Sequence, residues 1–326
     1  MNLFVSLKYL VALDDHRHFG RAALACHVTQ PALSNAIRAL EENYGCAIVK
    51  RGRNFAGFTE EGERVLHSAR LMLREQELLT QDLASRAEAP RGQLLIGAVP
   101  TAMPIAARFA ALLQDRHPGI VPTLRSLSSV ELESGLEALA LDMALGYIER
   151  MADSRAQLRV LPQYTEHYFL LQRSAAAPGR PLQLGEPMRW AEAATLPLCL
   201  LSAEMHNRRI VDRAFASAGC TVNAAIESNS TVTLLSSVQV GRVSAVLPGA
   251  LLGAIAGDAT LEARPLIEPQ VEVPIAFMVQ GSGRHSRSLQ AALALAESPE
   301  WLAHAARHAG AQAGLTASAA PPQGQP

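Results

Sequence analysis

The sequence predicts an α/β multidomain protein: a helix-turn-helix head with a wing, a long linker helix, and a larger C-terminal α/β body. Three observations carry this reading. Residues 1–59 hold amphipathic segments separated by tight turns. Residues 60–85 keep apolar side chains alternately four and three apart. From residue 92 onward, short apolar runs alternate with helical periods, the βαβα signature of a sheet covered by helices.

The head is organised around Thr29–Glu41. Leu33, Ala36, Ile37 and Leu40 fall on one apolar face, while Gln30, Ser34 and Arg38 lie four apart on another, with Pro31 and Asn35 beside them. Thr29 is a good N-cap, and Pro31 fits the first turn, where no amide donor is needed. The polar face carries residue types that hydrogen-bond base edges and phosphates. Leu3, Leu7, Leu10 and Val11 form the stripe of a preceding helix; Phe19, Ala22, Ala23 and Cys26 form that of a short second one, whose paired alanines let two helices cross closely. Helix, short helix, turn and helix is the helix-turn-helix order. Ala47–Phe55 reads as a short apolar strand, a basic turn and a returning strand: a wing whose Lys50, Arg51 and Arg53 touch phosphates.

Charge agrees. The whole chain of 326 residues has a formal net charge of −1 and shows no overall footprint of a nucleic-acid binder. Residues 1–58 differ, with seven Lys and Arg against four Asp and Glu, a local net of +3.

At this point residues 1–59 resemble the winged helix-turn-helix of the LysR-type transcriptional regulators. The matching residues are Phe19, Ala22-Ala23, Leu24, Val28 through Ser34, Ile37, Leu40-Glu41, Gly45, Arg51, Phe58-Thr59 and Gly62. His18 departs from the family's Ser or Thr before the Phe, Thr29 replaces the common Ser, and Ile48-Val49-Lys50-Arg51 replaces Leu-Phe-x-Arg. The resemblance implies double-stranded promoter DNA as partner. Thr29, Gln30, Pro31, Ser34, Asn35 and Arg38 would face it, and Lys50, Arg51 and Arg53 would hold its backbone.

Thr59 caps the long helix, and Glu60, Glu61 and Glu63 occupy its positive end. Val65, Ala69, Met72, Gln76, Leu79 and Leu83 alternate four and three apart as a coiled-coil seam, with Gln76 as a polar interruption that fixes register. The same stripe also suits a helix packed on its own domain. In the resembled family this helix, 60–88, is the dimerisation linker, so the resemblance implies a homodimer or homotetramer and RNA polymerase as a further partner.

Ala87–Gly92 breaks the helix. Strands are expected at 94–98, 121–125, 143–147, 168–171, 198–201, 222–226, 243–247 and 273–279. Helices are expected after Thr101 and over about 130–139, 205–217 and 231–240, and residues 286–308 read as mostly helix. A parallel sheet with right-handed crossovers follows. Residues 89–308 look like the two-lobed effector domain of the same family, of periplasmic-binding-protein type. Lobe I spans 91–163 and 267–308, lobe II spans 164–266, and a return crossing is expected at 265–271. The tail 309–326 lacks periodicity and reads as disordered.

Ligands of open α/β sheets bind beyond the carboxyl ends of strands, at helix N-termini whose free amides favour anions. Four loops qualify, with Pro100 and Thr101, Ser128 and Ser129, Ser202 and His206, and Asn229 and Thr231. Each hydroxyl also serves as an ordinary N-cap. Convergence of these loops would bind a small, polar, anionic effector.

Other classes fare less well. No phosphate loop, metal-spaced His set or nucleophile elbow is present, so neither an enzyme nor a cofactor or metal is expected. Cys26, Cys46, Cys199 and Cys220 read as reduced thiols, with a redox-sensing pair as the alternative. A stand-alone solute-binding protein would leave the first 85 residues unexplained. No secretory signal or spanning apolar segment is read, so a cytoplasmic protein without membrane contact is expected.

Overall fold

The computed structural model describes residues 2–50, 52, 55–84, 89–151, 158–174, 182–281 and 284–310. The chain divides into two compact units between residues 88 and 89, with residues 137–140 and 284–286 grouped with the first.

In the first unit, α1 (Leu3–His16) starts at Asn2, whose side chain accepts from the Val5 amide. It stops at Arg17, in the left-handed region at φ 49°. The Arg17 guanidinium pairs with Asp14 at 2.8 Å and lies 6.0 Å from the centroids of Phe55 and Phe58. It therefore ties the head together. In α2 (Phe19–Ala25), His18 does the work of the missing hydroxyl: its Nδ1 accepts from the Gly20 and Arg21 amides at 3.0 and 3.3 Å. Ala22 and Ala23 are buried in the crossing. α3 (Gln30–Tyr44) opens on Thr29, whose Oγ1 accepts from the Ala32 amide, and closes on Gly45 at φ 66°. Leu33, Ile37 and Leu40 are buried, each worth about 1.5–3 kcal/mol.

Among the described residues the wing is one antiparallel bridge, Val49 with Phe58, flanked by the Lys50 amide donating to Gly57 O and the Thr59 amide donating to Ile48 O. Glu41 braces the base of the wing: its Oε1 accepts from the Ile48 and Val49 amides at 2.8 and 3.1 Å. Arg51 and Arg53 lie outside the described residues.

α4 (Glu60–Ala84) begins at Thr59, which accepts from the Gly62 amide and donates to Ala47 O. A Cβ on Gly62 would stand 2.1 Å from Ile48 O, so only glycine lets the helix start against the wing. The expected seam is divided. Val65 and Ala69 belong to the head's own core, while Met72, Gln76 and Leu79 are exposed and the Leu83 side chain lies outside the description. The first turns are held by packing on α1 and by buried Arg70, which bonds Asp14 at 2.7 Å and Asp15 at 3.2 Å.

The second unit begins with β1 (Gly92–Ala98), a 3-10 turn (Pro100–Ala102), α5 (Met103–Arg116), β2 (Ile120–Ser126), α6 (Ser129–Glu137), β3 (Met143–Tyr147) and α7 (Ile148–Met151). β4 (Leu158–Arg173) leads into β5 (Gln183–Leu184), β6 (Met188–Arg189), α8 (Trp190–Ala193), β7 (Leu198–Leu201), α9 (His206–Ser217), β8 (Ile226–Ser228) and α10 (Thr231–Val240). Then come β9 (Ser244–Pro248), α11 (Gly249–Leu252), β10 (Leu261–Ile267), β11 (Glu272–Gln280), α12 (Arg287–Ala296) and α13 (Pro299–His308). The strand order is β2-β1-β3-β11-β4-β9-β7-β8, with β10 on β4.

The sheet is mixed, not parallel throughout. β1 pairs parallel with β2 and β3, and β7 with β8 and β9. β11 is antiparallel to β3 and β4, and β4 to β9 and β10. Two lobes sharing strands need one passage out and one back, and these must run oppositely. β4 is the outward passage: residues 158–167 pair with β11 of lobe I, and residues 168–173 pair with β9 and β10 of lobe II. The return falls later than 265, because β10 stays paired to Ile267 and residues 268–271 make the crossing. The strand expected at 222–226 is confined to 226–228, and 222–225 is irregular; its Asn and paired Ala have little strand preference. Ala309 is fully buried after α13 and so is no part of a tail; 311–326 lie outside the described residues.

Candidate DNA-reading face and interlobe pocket

Two places gather polar side chains. On the head, Gln30, Pro31, Asn35 and Arg38 are exposed along α3, Ser34 is half-buried, and Lys50 is exposed at the start of the wing. A groove lined by Gln30, Ser34, Arg38, Lys50 and Gly52 runs beside them. Thr29 is engaged as the cap. Glu41 also lines the groove, with its Oε1 committed to the wing amides.

In the C-terminal unit a pocket lies between the lobes. Pro100, Thr101, Ser128, Ser129 and Tyr147 line it from lobe I; Leu201, Met205, His206 and Asn207 line it from lobe II. The space inside it that a water-sized sphere can occupy is about 10 Å³, room for about one water. The expected residues Pro100, Thr101, Ser128, Ser129 and His206 therefore come together. Ser202, Asn229 and Thr231 do not line it. Ser202 turns the chain, its carbonyl accepting from the Met205 amide, and the loop before α10 is occupied with its own caps, Ser228 Oγ accepting from Ser230 and Ser230 Oγ from Thr233.

The pocket's inner wall is a chain of hydrogen bonds. Thr101, 1% exposed, bonds Oγ1 to the Tyr147 hydroxyl at 2.9 Å. Asn207 Nδ2 donates to Tyr147 at 3.2 Å and to Tyr168 at 2.9 Å, joining α9 to both β3 and β4. The Tyr147 ring lies 4.7 Å from the His206 ring. Burial holds the Tyr147 phenol far above its ordinary pKa, and the nearby Glu166 pushes it the same way, so it stays a neutral donor and acceptor. The Ser129 hydroxyl, at the first turn of α6, is buried with no hydrogen-bond partner among the described residues. Beside it, Ser128 and Glu131 close a reciprocal cap, 2.7 Å from the Ser128 amide to Glu131 Oε2. Hydroxyls, an amide and two helix starts (α6 and α9) face this small space; it carries no nucleophile–base pair or metal set among the described residues.

Sequence reasoning missed Tyr147, Tyr168 and Asn207. A signal existed for Asn207: it precedes Ile210, Val211 and Ala214 by three, four and seven, so a polar side chain sits on the buried face of α9. Tyr147 likewise ends a wholly buried strand, where its hydroxyl must find a partner.

None of the four cysteines is disulfide-bonded. Cys199 is fully buried in β7, and burial raises its thiol pKa, as it does for Cys26. No helix among the described residues is long and apolar enough to cross a membrane.

Residues 4–63 match the family model described as bacterial regulatory helix-turn-helix protein, lysR family, and residues 87–298 match the LysR substrate binding domain. A hydrogen peroxide-inducible genes activator of Dickeya chrysanthemi is 37% identical over 140 residues, 43% of this chain and 46% of that protein. The DNA-binding transcriptional dual regulator OxyR of Escherichia coli (strain K12) is 31% identical over 199 residues, covering 61% of this chain and 60% of the relative. The matched region thus spans about half to three fifths of these relatives' length. Among solved structures, a full-length OxyR variant from Pseudomonas aeruginosa superposes with a TM-score of 0.65 at 24% identity, covering 94% of this chain and 99% of that one. Full-length CbnR complexed with its target DNA gives 0.61 at 18% identity, covering 93% and 99%. At these identities the likeness is one of fold.

Proposed function

This chain belongs to the LysR family of bacterial regulatory helix-turn-helix proteins, and from that premise we propose that it is a sequence-specific transcriptional regulator whose grip on promoter DNA is set by a small, anionic effector between its lobes. One observation carries the reading: the exposed face of α3, with Gln30, Pro31, Asn35 and Arg38 beside Lys50, sits on the same chain as a pocket of unspent hydrogen-bonding capacity. In this reading Arg38 and Asn35 reach base edges, and Lys50 holds a phosphate. Thr29 acts by setting the first turn of the helix. Arg51 and Arg53 are proposed for the backbone on sequence alone.

The effector would rest on Thr101, Ser129 and the free amides at the start of α6, with His206 opposite. The exposed Met72, Gln76 and Leu79 of α4 supply the second half of a pairing seam, so the regulator acts as a dimer, or a tetramer built from dimers, in the cytoplasm. The test is selection from a random duplex pool by the purified protein. An enriched inverted repeat with half-sites about one helical turn apart supports the dimeric reader. No enrichment, with or without cell-extract metabolites, overturns it.

The relatives' names favour a second reading, a thiol that senses peroxide. The protonated, enclosed Cys199 is poorly suited to that chemistry, since the thiolate is the reacting species. Operator binding measured before and after peroxide decides: a change abolished by one Cys→Ser replacement supports thiol sensing, and an unchanged affinity removes it.

A further inference from the structure

Glu166 is 0% exposed, and neither carboxyl oxygen has a hydrogen-bond partner among the described residues. It stands where β4 passes between lobes. Its pair is Val273 of β11 in lobe I, and two residues on, Tyr168 pairs with Pro248 of β9 in lobe II. Residues alternate along a strand, so Tyr164, Glu166 and Tyr168 share one face. The Tyr164 hydroxyl is buried and unpartnered as well. The groups that act on one another here are Glu166 and three phenols: Tyr164 and Tyr168 from β4, and Tyr147 from β3. From α9, Asn207 bonds two of those phenols and His206 contacts the Tyr147 ring. On the opposite face of the same strands, His167 lies 4.0 Å from Glu272. No cation among the described residues offsets the burial of Glu166, which alone pushes its carboxyl up to about 8. An ionised carboxylate without donors is strongly disfavoured in such a place, so the group is neutral here.

We propose that Glu166 is a proton-binding site at the interlobe hinge, holding one proton while the β4 crossing is closed and releasing it when the crossing loosens and water enters. Loosening breaks the Glu166 O–H bond and passes the proton to solvent; no other reactant is needed. Below pH 4.5, the ordinary carboxyl value, both arrangements hold the proton and pH has no effect. Between that and about 8, only the closed arrangement holds it, so closure weakens about tenfold for each pH unit of rise. Above about 8 the dependence ends. Because Tyr147 and Tyr168 join this cluster to the pocket, lobe closure responds to pH in the neutral range whatever the pocket binds.

The experiment is amide hydrogen exchange on the full-length protein between pH 5.5 and 8.5, corrected for intrinsic rates, on wild type and Glu166→Gln. Glutamine keeps the shape and cannot ionise. Opening of residues 164–168 should rise about tenfold per pH unit up to about pH 8 in wild type and stay flat in the variant. Parallel profiles overturn the proposal. A rise spread evenly over the whole C-terminal unit also overturns it, since that reports global stability and not a hinge. Should the variant fail to fold, infrared spectra of the wild type decide: a protonated-carboxyl band present at pH 6.5 and lost by pH 9.5 supports the site, and its absence at pH 6.5 overturns it.

Discussion

Replacing Asn207 with Leu removes the donor that links three elements while nearly preserving volume. The Asn207 amide makes two buried bonds, to Tyr147 at 3.2 Å and Tyr168 at 2.9 Å. Each lost bond is worth about 0.5–1.5 kcal/mol net, and a buried hydroxyl oxygen left short of a donor adds to the cost, giving an expected destabilisation of about 2–4 kcal/mol. Tyr147 keeps its bond to Thr101, which holds the figure below the worst case. Both tryptophans, Trp190 and Trp301, lie in the C-terminal unit, and Trp190 packs 6.2 Å from the Tyr168 ring, so urea unfolding followed by tryptophan fluorescence reports that unit. Tyr168→Phe and the double variant complete a cycle, in which the Asn207–Tyr168 coupling should be about 0.5–2 kcal/mol. A loss below about 0.5 kcal/mol for Asn207→Leu would refute the account, because it would mean water already satisfies both phenols.

Three further outcomes are expected. Gly62→Ala should destabilise the head by more than about 2 kcal/mol in thermal unfolding, because its Cβ meets Ile48 O at 2.1 Å and backbone must shift; wild-type stability would show the wing start to be pliant. His18→Ala should cost about 1 kcal/mol through the lost cap of α2, and His18→Ser should recover most of it, as measured by urea midpoints. Arg38→Ala should cost about 1–3 kcal/mol in operator affinity and relax one base position, whereas Lys50→Ala should weaken all duplexes alike and lower the salt slope by about 1, both read by titration at several salt concentrations.

Much of the architecture was written in local patterns. The head's helices follow from Leu7, Leu10, Leu33, Ile37 and Leu40 at helical spacing with Thr29 and Gly45 at the ends of α3. β1, β3 and β7 follow from short unbroken apolar runs, because only strands buried on both faces need them. The four-and-three alternation along α4 was equally plain, yet it could not tell its own domain's core from a partner's surface. Val65 and Ala69 went to the first, and Met72 and Leu79 stayed exposed.

By itself, then, the sequence determined the elements and the chemistry on each face, since periodicity, caps and turn residues act within a few positions of one another. Tertiary structure alone decided what meets across long separations. Thr101 reaches Tyr147, Asn207 reaches back to Tyr147 and Tyr168, and Glu166 is enclosed at the passage between lobes. Ser202, Asn229 and Thr231 carry the same hydroxyl and amide chemistry as their pocket-lining counterparts and were left aside. The reason is physical: a hydroxyl near a helix start reads the same in sequence whatever it faces, and which loops meet is set by pairings across long separations, such as β4 with β9 and β11.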